Sequence, residues 1–306
     1  MPASVSILLL MKNELANMER SFPRLLSQDF DGAVEYVYID SGSTDGTVEY
    51  MASHGVEAHR IAPTDFHHGR TRNLAASMAS NDILVFLSGD AIPTGMDWLR
   101  SLVAPFDDPE VAATYGRQIA PEGTSALRTF AMDYEYPAHR QERAVTPGKK
   151  PSMGMFRMSN ANAAVRREVW ERFKFDETVV MSEDVGLCYN VLMNGMKVVY
   201  VPEAAVHHCH DRSLWYEFQK AFDSAISLKR MGVLGNPAIG SELRYGLHRL
   251  YAECIHWVKR RRPDLVVWSA VTSATKWLGV QFGKRGDRLP RWLTARISAG
   301  VEKMYD

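Results

Sequence analysis

The sequence predicts an α/β protein in which a mainly parallel sheet is flanked by helices and followed by a helical C-terminal region. Two patterns predict this fold class. Up to about residue 100, short runs that are apolar at consecutive positions alternate with segments of helical periodicity. Such runs are typical of parallel strands buried on both faces. From Ser213 to the end, the pattern is helical throughout.

The N-terminal part supplies most of the predicted sheet. Strands are predicted at Val5–Met11, Val34–Ile39, Val56–Ile61 and Ile83–Leu87, and helices at 15–28, 44–54 and 70–80. This alternation is that of βαβ units, whose crossover helices cover a parallel sheet.

The middle of the chain is less regular, and the C-terminal part is helical. After residue 110 the predicted elements are a strand at Val111–Ile119, a helix at Ser125–Arg143, a basic loop at Thr146–Pro151, helices at Ala163–Phe173 and Ser182–Asn194, a strand at Lys197–Val201, and helices near 213–231, 241–261 and 264–282. We therefore expect a sheet domain at 1–212 and a helical region at 213–306.

Composition excludes several classes of protein. The 306 residues contain 36 Lys and Arg against 36 Asp and Glu, a balance that does not favour nucleic acid as a partner. The three cysteines, Cys188, Cys209 and Cys254, are odd in number and lack CxxC spacing, which fits a reducing, cytoplasmic compartment. Val5–Met11 has no basic residue before it and is therefore expected to be a strand and not a signal peptide.

Polar side chains follow the second and fourth predicted strands. Asp40 leads a loop of small residues, Ser-Gly-Ser-Thr-Asp-Gly-Thr47, at the edge where open α/β sheets bind ligands. Asp40 is placed to accept from a base or a ribose; alternatively, Ser43 or Thr44 only caps the next helix. Asp90 leaves the fourth strand, where a carboxylate suits a divalent cation, although a lone Asp there is also a common turn residue.

Three further groups carry potential chemistry. Arg72, in Phe66-His-His-Gly-Arg-Thr-Arg-Asn73, opens a helix and suits a phosphate, or else a solvated basic turn. Glu183 and Asp184 begin another helix, where one carboxylate can act as a base while the other orients it. In Val206-His-His-Cys-His210 the spacing is too tight for a tetrahedral zinc site, so at most His208 and His210 converge on one ion; a plain surface tract is the alternative.

Taken in order, these motifs resemble the family-2 inverting glycosyltransferases of the GT-A fold, and among them the bacterial rhamnosyltransferases of surface-polysaccharide synthesis. The segments that carry the resemblance are Met11–Glu14, Asp40–Thr47, Phe66–Asn73, Phe86–Pro93, Tyr115–Gln118, Ser182–Asp184 and His208–His210, with Lys276–Arg285 and Leu289–Leu293 in the tail. One departure is Ser88, which stands where many relatives have the first carboxylate of an Asp-x-Asp element.

The resemblance implies a metal-dependent hexosyltransferase that inverts the anomeric centre. Its donor would be a dTDP- or UDP-sugar, dTDP-L-rhamnose first, and its acceptor a saccharide or a lipid-linked saccharide. The implied donor-binding residues are Asn13, Glu14, Asp40, Arg72, Asn73 and Asp90, with Asp40 and Arg72 at the pyrimidine base. Mg²⁺ or Mn²⁺ would be held by Asp90, His208 and His210, and Asp184 would be the catalytic base beside Glu183.

Two questions stay open at this point. A transferase for another hexose and a catalytically silent nucleotide-sugar-binding protein are alternatives to rhamnosyl transfer. Residues 259–296 hold ten Lys or Arg against two Asp, interleaved with tryptophans. This pattern is typical of a helix lying on the anionic inner face of the cell membrane, but it also fits tryptophans packed on the core under a solvated basic face. Leu265–Gly283 is too polar for us to expect a spanning helix.

Overall fold

The computed structural model describes residues 4–300, apart from the side chain of Arg291. The outer ends of the two predicted regions, residues 1–3 and 301–306, lie outside this part, and the boundary at 212 stays a prediction. The strands of the described part are β1 (Val5–Met11), β2 (Val34–Asp40), β3 (Ala58–Arg60), β4 (Ile83–Ser88), β5 (Ile92–Pro93), β6 (Val111–Ile119), β7 (Gln141–Arg143), β8 (Asn162–Arg166) and β9 (Lys197–His207).

Helices cover both faces of this sheet and form the C-terminal region. They are α1 (Leu15–Leu26), α2 (Thr47–Ser53), α3 (His68–Met78), α4 (Trp98–Val103), α5 (Ala126–Glu135), α6 (Arg167–Phe173), α7 (Glu183–Met193), α8 (Leu214–Arg230), α9 (Glu242–Lys259), α10 (Pro263–Gly283) and α11 (Arg291–Ile297). The predicted α/β class with C-terminal helices is confirmed.

The strands form one mixed sheet in the order β3-β2-β1-β4-β8-β6-β9-β5, with β7 also beside β9. β1 to β4 run parallel. Along β1, Leu8 points to one core while Ile7 and Leu9 point to the other, and all three are fully buried. Burial on both faces explains why these strands read as continuous apolar runs.

The register of the parallel strands places their carboxyl ends at one level. Met11 of β1 lies opposite Asp40 of β2, and Leu10 lies opposite Ser88 of β4. The three loops that follow these strands therefore open at the same edge of the sheet, as expected for an open α/β fold.

Two predicted helices were wrong in part. Asn162–Arg166 is a strand between β4 and β6, and the helix begins only at Arg167. Its alanines favour a helix in isolation, but the site is in mid-sheet, and tertiary pairing overrides that propensity. The helix predicted at Ser125–Arg143 ends at Glu135, before Pro137, and Gln141–Arg143 instead pairs with β9.

The strand predicted to end before Pro202 continues to His207. The pairing of β6 with β9 shifts register between Gly116 and Gln118, so that Gly116 lies opposite Val201 but Gln118 opposite Val206. This irregularity accommodates the proline, which has no N–H to donate to the sheet. The extension delivers the histidines after Val206 to the edge of the sheet beside β5, because Ile92 pairs with His207.

Ion pairs of low exposure join the C-terminal helices to α5 and to one another. Arg157 lies 2.7 Å from Glu135 at the end of α5, and Arg249 of α9 lies 3.6 Å from the same carboxylate. Lys276 of α10 lies 3.0 Å from Glu217 of α8. Within residues 4–300, every helix is too short or too polar to cross a membrane.

We predict that Glu135→Gln lowers the free energy of unfolding by about 3 kcal/mol, because Arg157 and Arg249 then lose the carboxylate that they share at low exposure. Urea unfolding followed by circular dichroism measures this change. Asp29→Asn is the matched control, since Asp29 pairs with Arg100 on the surface and its loss costs little. Equal stability of the two variants would contradict the prediction.

Candidate functional site

A cleft of about 140 Å³ opens at the edge of the sheet where β1 and β4 end. Its lining residues are Leu8, Leu10, Glu14, Phe66, His68, Arg72, Phe86, Leu87, Ser88, Gly89, Asp90 and Asn160. Gly89 allows the loops after β1 and β4 to approach closely, because a Cβ there would lie 2.9 Å from side-chain atoms of both Met11 and Glu14. Glu14, Arg72 and Asp90, all predicted from the sequence, therefore meet in one place.

The loops after β1 and β2 are held together by hydrogen bonds. The side chain of Asn13 accepts from the backbone N–H of Thr44 at 2.8 Å, and the backbone N–H of Glu14 donates to Thr47 Oγ1 at 2.9 Å. Asp45 accepts from the backbone N–H of Leu15 at 3.0 Å. Asn13 thus braces the wall of the cleft, whereas Glu14 lines the cleft itself.

Asp40 is buried within its own loop and does not line the cleft. Its carboxylate accepts from the backbone N–H groups of Gly42 at 3.0 Å and Ser43 at 3.1 Å, and from the hydroxyl of Tyr38 at 3.0 Å. Burial acts to raise the pKa of Asp40, but these hydrogen bonds outweigh it and leave the pKa below its ordinary value. In this conformation an ionised Asp40 shapes the loop, and its contact with a donor stays a prediction.

Asp90 meets His208 and His210 beside the cleft. His210 Nε2 lies 2.6 Å from Asp90 Oδ2, and His208 Nε2 lies 3.4 Å from Asp90 Oδ1. One ligand atom from each residue lies within 4.8 Å of the others, so one carboxylate and two imidazoles are placed to share an ion. Burial acts to raise the pKa of Asp90, but the two histidines outweigh it and hold the pKa at about 2.

The hydrogen bonds of His208 suit a cation. Its Nδ1 lies 2.9 Å from Gln118 Oε1, which only accepts, so Nδ1 carries the proton. With Nδ1 directed to Gln118, Nε2 is the ring nitrogen that faces the carboxylate of Asp90. Two acceptors face each other there unless a proton or a metal ion lies between them, and such an outer hydrogen bond is typical of metal-binding histidines.

Arg72 and Glu183 form a buried ion pair on another side of the site. Arg72 Nη1 lies 2.6 Å from Glu183 Oε1, and this contact ties α3 to the first turn of α7. Burial acts to raise the pKa of Glu183, but the charge of Arg72 outweighs it, so the pKa lies below its ordinary value. Glu183 is therefore ionised, and Arg72 is held by it in the wall of the cleft.

Asp184 differs from Glu183 in that, within residues 4–300, no cation forms an ion pair with it as Arg72 does with Glu183. Its carboxylate accepts from the backbone N–H groups of Val185 at 2.8 Å and Asn160 at 3.4 Å. Burial, followed by the charge of Glu183, raises the pKa of Asp184 to about 6. Neighbouring carboxyl groups with pKa values driven apart are typical of an acid–base site.

One predicted residue has a structural role here, and two residues with contacts at the site were given no role from the sequence. The buried side chain of Asn73 binds Trp170 Nε1, the backbone of Phe175 and Glu177, so its predicted donor contact remains untested. Gln118 orients His208, and Asn160 joins the cleft to Asp184. Asn160 is a polar residue just before a run of small residues, and this pattern could have indicated a residue at the end of a strand. The helix predicted from Ala163 left no strand there, so Asn160 received no role.

The chain belongs to glycosyl transferase family 2, whose sequence model matches residues 6–172. It is 31% identical over 257 residues to the O-antigen chain rhamnosyltransferase RfbN of Salmonella typhimurium, covering 83% of this chain and 81% of that protein. It is 30% identical to the O-antigen chain rhamnosyltransferase WbaN of Salmonella anatum, over 84% of this chain and 81% of that protein. The family resemblance predicted from the motifs is confirmed.

Solved structures share the fold. A mannosyltransferase of Pyrobaculum calidifontis, determined with GDP-Man and Mn²⁺, superposes with a TM-score of 0.62 at 18% identity, covering 93% of this chain and 88% of that one. TarS of S. aureus, residues 1–349, superposes with a TM-score of 0.57 at 15% identity, covering 93% of this chain and 91% of that one. The GT-A fold is thereby confirmed.

We predict that Arg72→Gln lowers the free energy of unfolding at pH 7 by about 3 kcal/mol, because Glu183 is left buried without its cation. The folded-state pKa of Glu183 lies below that of the unfolded chain. The pair therefore stabilises the protein fully at a pH above the pKa of Glu183 in the unfolded chain. This stabilisation is lost as the pH falls through the pKa of Glu183 in the folded protein.

Urea unfolding at pH 7 and at successively lower pH tests this. The difference in the free energy of unfolding between Arg72→Gln and the natural protein should become smaller as the pH is lowered. Arg70→Gln, whose partner Glu177 lies 4.0 Å away on the surface, is the matched control and should change little. If this difference in free energy does not change with pH, Arg72 does not stabilise the protein through the charge of Glu183.

Proposed function

We propose that this protein transfers L-rhamnose from a nucleoside diphosphate donor, dTDP-L-rhamnose first, to a saccharide or lipid-linked saccharide in surface-polysaccharide synthesis. One observation carries the proposal: a single cleft brings Asp90 of the histidine cluster together with Arg72 and Asn160, the contacts of Glu183 and Asp184. This grouping supports a leaving-group site at Asp90 and a base at Asp184. The two O-antigen rhamnosyltransferase relatives support rhamnose as the sugar.

Asp90, His208 and His210 would hold the divalent metal, Mg²⁺ or Mn²⁺. Their fit rests on the ligand atoms that converge and on the ring nitrogen Nε2 of His208, which faces Asp90. When bound, the metal stabilises the negative charge that develops on the departing diphosphate. Ser88 lines the cleft without adding a carboxylate, so the three ligand residues carry most of the affinity in this proposal.

Asp184 is the proposed base. An acceptor hydroxyl is a poor nucleophile, and a carboxylate of pKa about 6 removes its proton more effectively than one of ordinary pKa. The N–H groups of Val185 and Asn160 orient the carboxylate, while Glu183 raises its basicity and is itself neutralised by Arg72. Attack from the face opposite the diphosphate inverts the anomeric carbon in one displacement.

Two alternative functions differ from this proposal. One is transfer of a different hexose, which differs in the donor, and the other is a binding protein that catalyses no transfer. Transfer of another hexose rests on the same cleft, because a few hydrogen bonds decide which sugar is accepted. A carboxyl group with a raised pKa is typical of a catalytic site and is not required for binding alone. The raised pKa of Asp184 therefore favours an enzyme over a catalytically silent binding protein.

Asp184→Asn should reduce kcat about 100- to 10,000-fold and leave donor binding nearly intact, because the base acts mainly in the transition state. In the natural protein, kcat/KM should fall about tenfold per pH unit below pH 6, where Asp184 becomes protonated, and level off above it. Steady-state kinetics across pH measures both effects. The control is Asp133→Asn, at an exposed position of α5, which should leave both effects unchanged. If the fall in kcat/KM below pH 6 persists in Asp184→Asn, another group causes it.

A thermal-shift panel tests the donor. The melting temperature should rise with dTDP-L-rhamnose, and rise further with Mg²⁺ or Mn²⁺, since a ligand that binds only the folded state stabilises it. His210→Ala should reduce the metal-dependent part of this shift. A larger shift with UDP-glucose or UDP-galactose would replace rhamnose by that sugar, and donor binding without transfer or hydrolysis would favour the silent protein.

A further inference from the structure

Helix α10 has its small residues inside and its large ones outside. A Cβ on Gly279 would lie 2.6 Å from the backbone oxygen of Phe218, and one on Gly283 would lie 2.4 Å from that of Phe222. These glycines let α10 pack closely against α8, so the positions of Gly279 and Gly283 have no room for a larger side chain. Most of the bulky apolar residues of α10 are turned outward.

The outward side of α10 carries no charge between its ends. Lys276 is the one charged residue from 265 to 283, and it is turned inward to Glu217. The exposed large side chains of α10 are Val267, Trp268, Val271, Trp277, Leu278 and Phe282. Four of them follow one another at intervals of four, seven and four residues and so share one side of the helix, with a tryptophan on either flank.

Helix α9 also exposes large apolar side chains. It is joined to α10 by a short turn, and it exposes Leu243, Leu247, Tyr251 and Val258 at helical spacing. These side chains and the six of α10 are each between 38% and 66% exposed. We call the ten residues together the apolar face. Exposed apolar side chains in this number on one helical hairpin mark a contact with a partner or a membrane.

Basic residues border the apolar face at both ends. Lys259, Arg260, Arg261 and Arg262 occupy the exposed turn between the two helices, and Arg285 and Arg288 are exposed after α10. Asp264 offsets only Arg262, at 2.7 Å. The prediction that tryptophans pack on the core holds for Trp257 but not for Trp268 and Trp277, which are about half exposed.

The charges decide between a second copy of the chain and a lipid surface. Two copies joined through the apolar face would bring basic ends against basic ends in either orientation, because both ends of the α9–α10 hairpin are cationic. Anionic headgroups instead complement both ends, while the apolar side chains and flanking tryptophans enter the headgroup boundary. The inward side of α10 stays on α8, so the hairpin lies along the surface.

We propose that the apolar face is a docking surface for an anionic lipid bilayer, with α9 and α10 lying in the plane of the interface. None of its ten side chains lines the cleft, so the inference is independent of the donor sugar. It places the acceptor-handling protein where a lipid-linked substrate is found, but its test does not depend on that substrate.

Co-sedimentation of the full chain tests the proposal, using vesicles of phosphatidylcholine alone and of phosphatidylcholine mixed with phosphatidylglycerol. We expect binding to the anionic vesicles and a blue shift of tryptophan emission. Lys259→Gln/Arg260→Gln/Arg261→Gln should weaken this binding about 100-fold. Val267→Glu/Trp268→Glu should weaken it at least tenfold, and its exposed positions leave the fold intact, as circular dichroism and the melting temperature would verify.

Leu26→Glu is the matched control, since it places the same charge at an exposed apolar position of α1, away from the hairpin, and should bind vesicles like the natural protein. Equal recovery in the supernatant with and without anionic vesicles would overturn the proposal. So would concentration-dependent dimerisation that Val267→Glu/Trp268→Glu abolishes, which would assign the face to a second copy. Donor-induced thermal shifts should be the same in all these variants.

Discussion

The site depends on the register of three parallel strands. Because Met11 lies opposite Asp40 and Leu10 opposite Ser88, the loops after β1, β2 and β4 open at one level and can be joined by short hydrogen bonds. A slip of one residue in any strand would turn its side chains to the other face. The two apolar cores on either side of the sheet prevent such a slip, so core packing indirectly sets the shape of the cleft.

The carboxylates around this cleft are distinguished by their partners more than by their positions. Hydrogen-bond donors in its own loop keep Asp40 ionised, two histidines keep Asp90 ionised, and Arg72 keeps Glu183 ionised. For Asp184, burial and the charge of Glu183 outweigh two backbone N–H donors and the charge of Arg72, and its pKa is raised. One buried cation therefore does two things: it keeps Glu183 charged, and through that charge it raises the pKa of Asp184. Electrostatic pairing at low exposure separates groups that are chemically alike.

The C-terminal hairpin of α9 and α10 differs from the sheet domain in where its large apolar side chains lie. In the sheet domain, large apolar side chains face inward and polar ones outward. In α10, glycines face α8 because the two backbones approach closely, and ion pairs such as Lys276 with Glu217 occupy the remaining inward positions. Side chains larger than glycine are excluded at Gly279 and Gly283, and most of the bulky apolar residues of α10 lie on its outward side.

The sequence by itself determined the parallel strands, the family and most of the charged residues of the site, because consecutive apolar runs and motifs at strand ends are local signals. It did not determine that Asn162–Arg166 forms a strand, that β9 continues past Pro202, or that Arg72 is paired with Glu183. It also left both roles open for the tryptophans near the C-terminus. The role of those tryptophans stays a proposal. Contacts between distant segments decided the structural points. Neighbouring strands overrode the helical propensity of an alanine-rich run, a register shift admitted a proline, and close helix packing left Trp268 and Trp277 on the outward side of α10. Such contacts exist only once the chain has folded, and pattern along the sequence carries little trace of them.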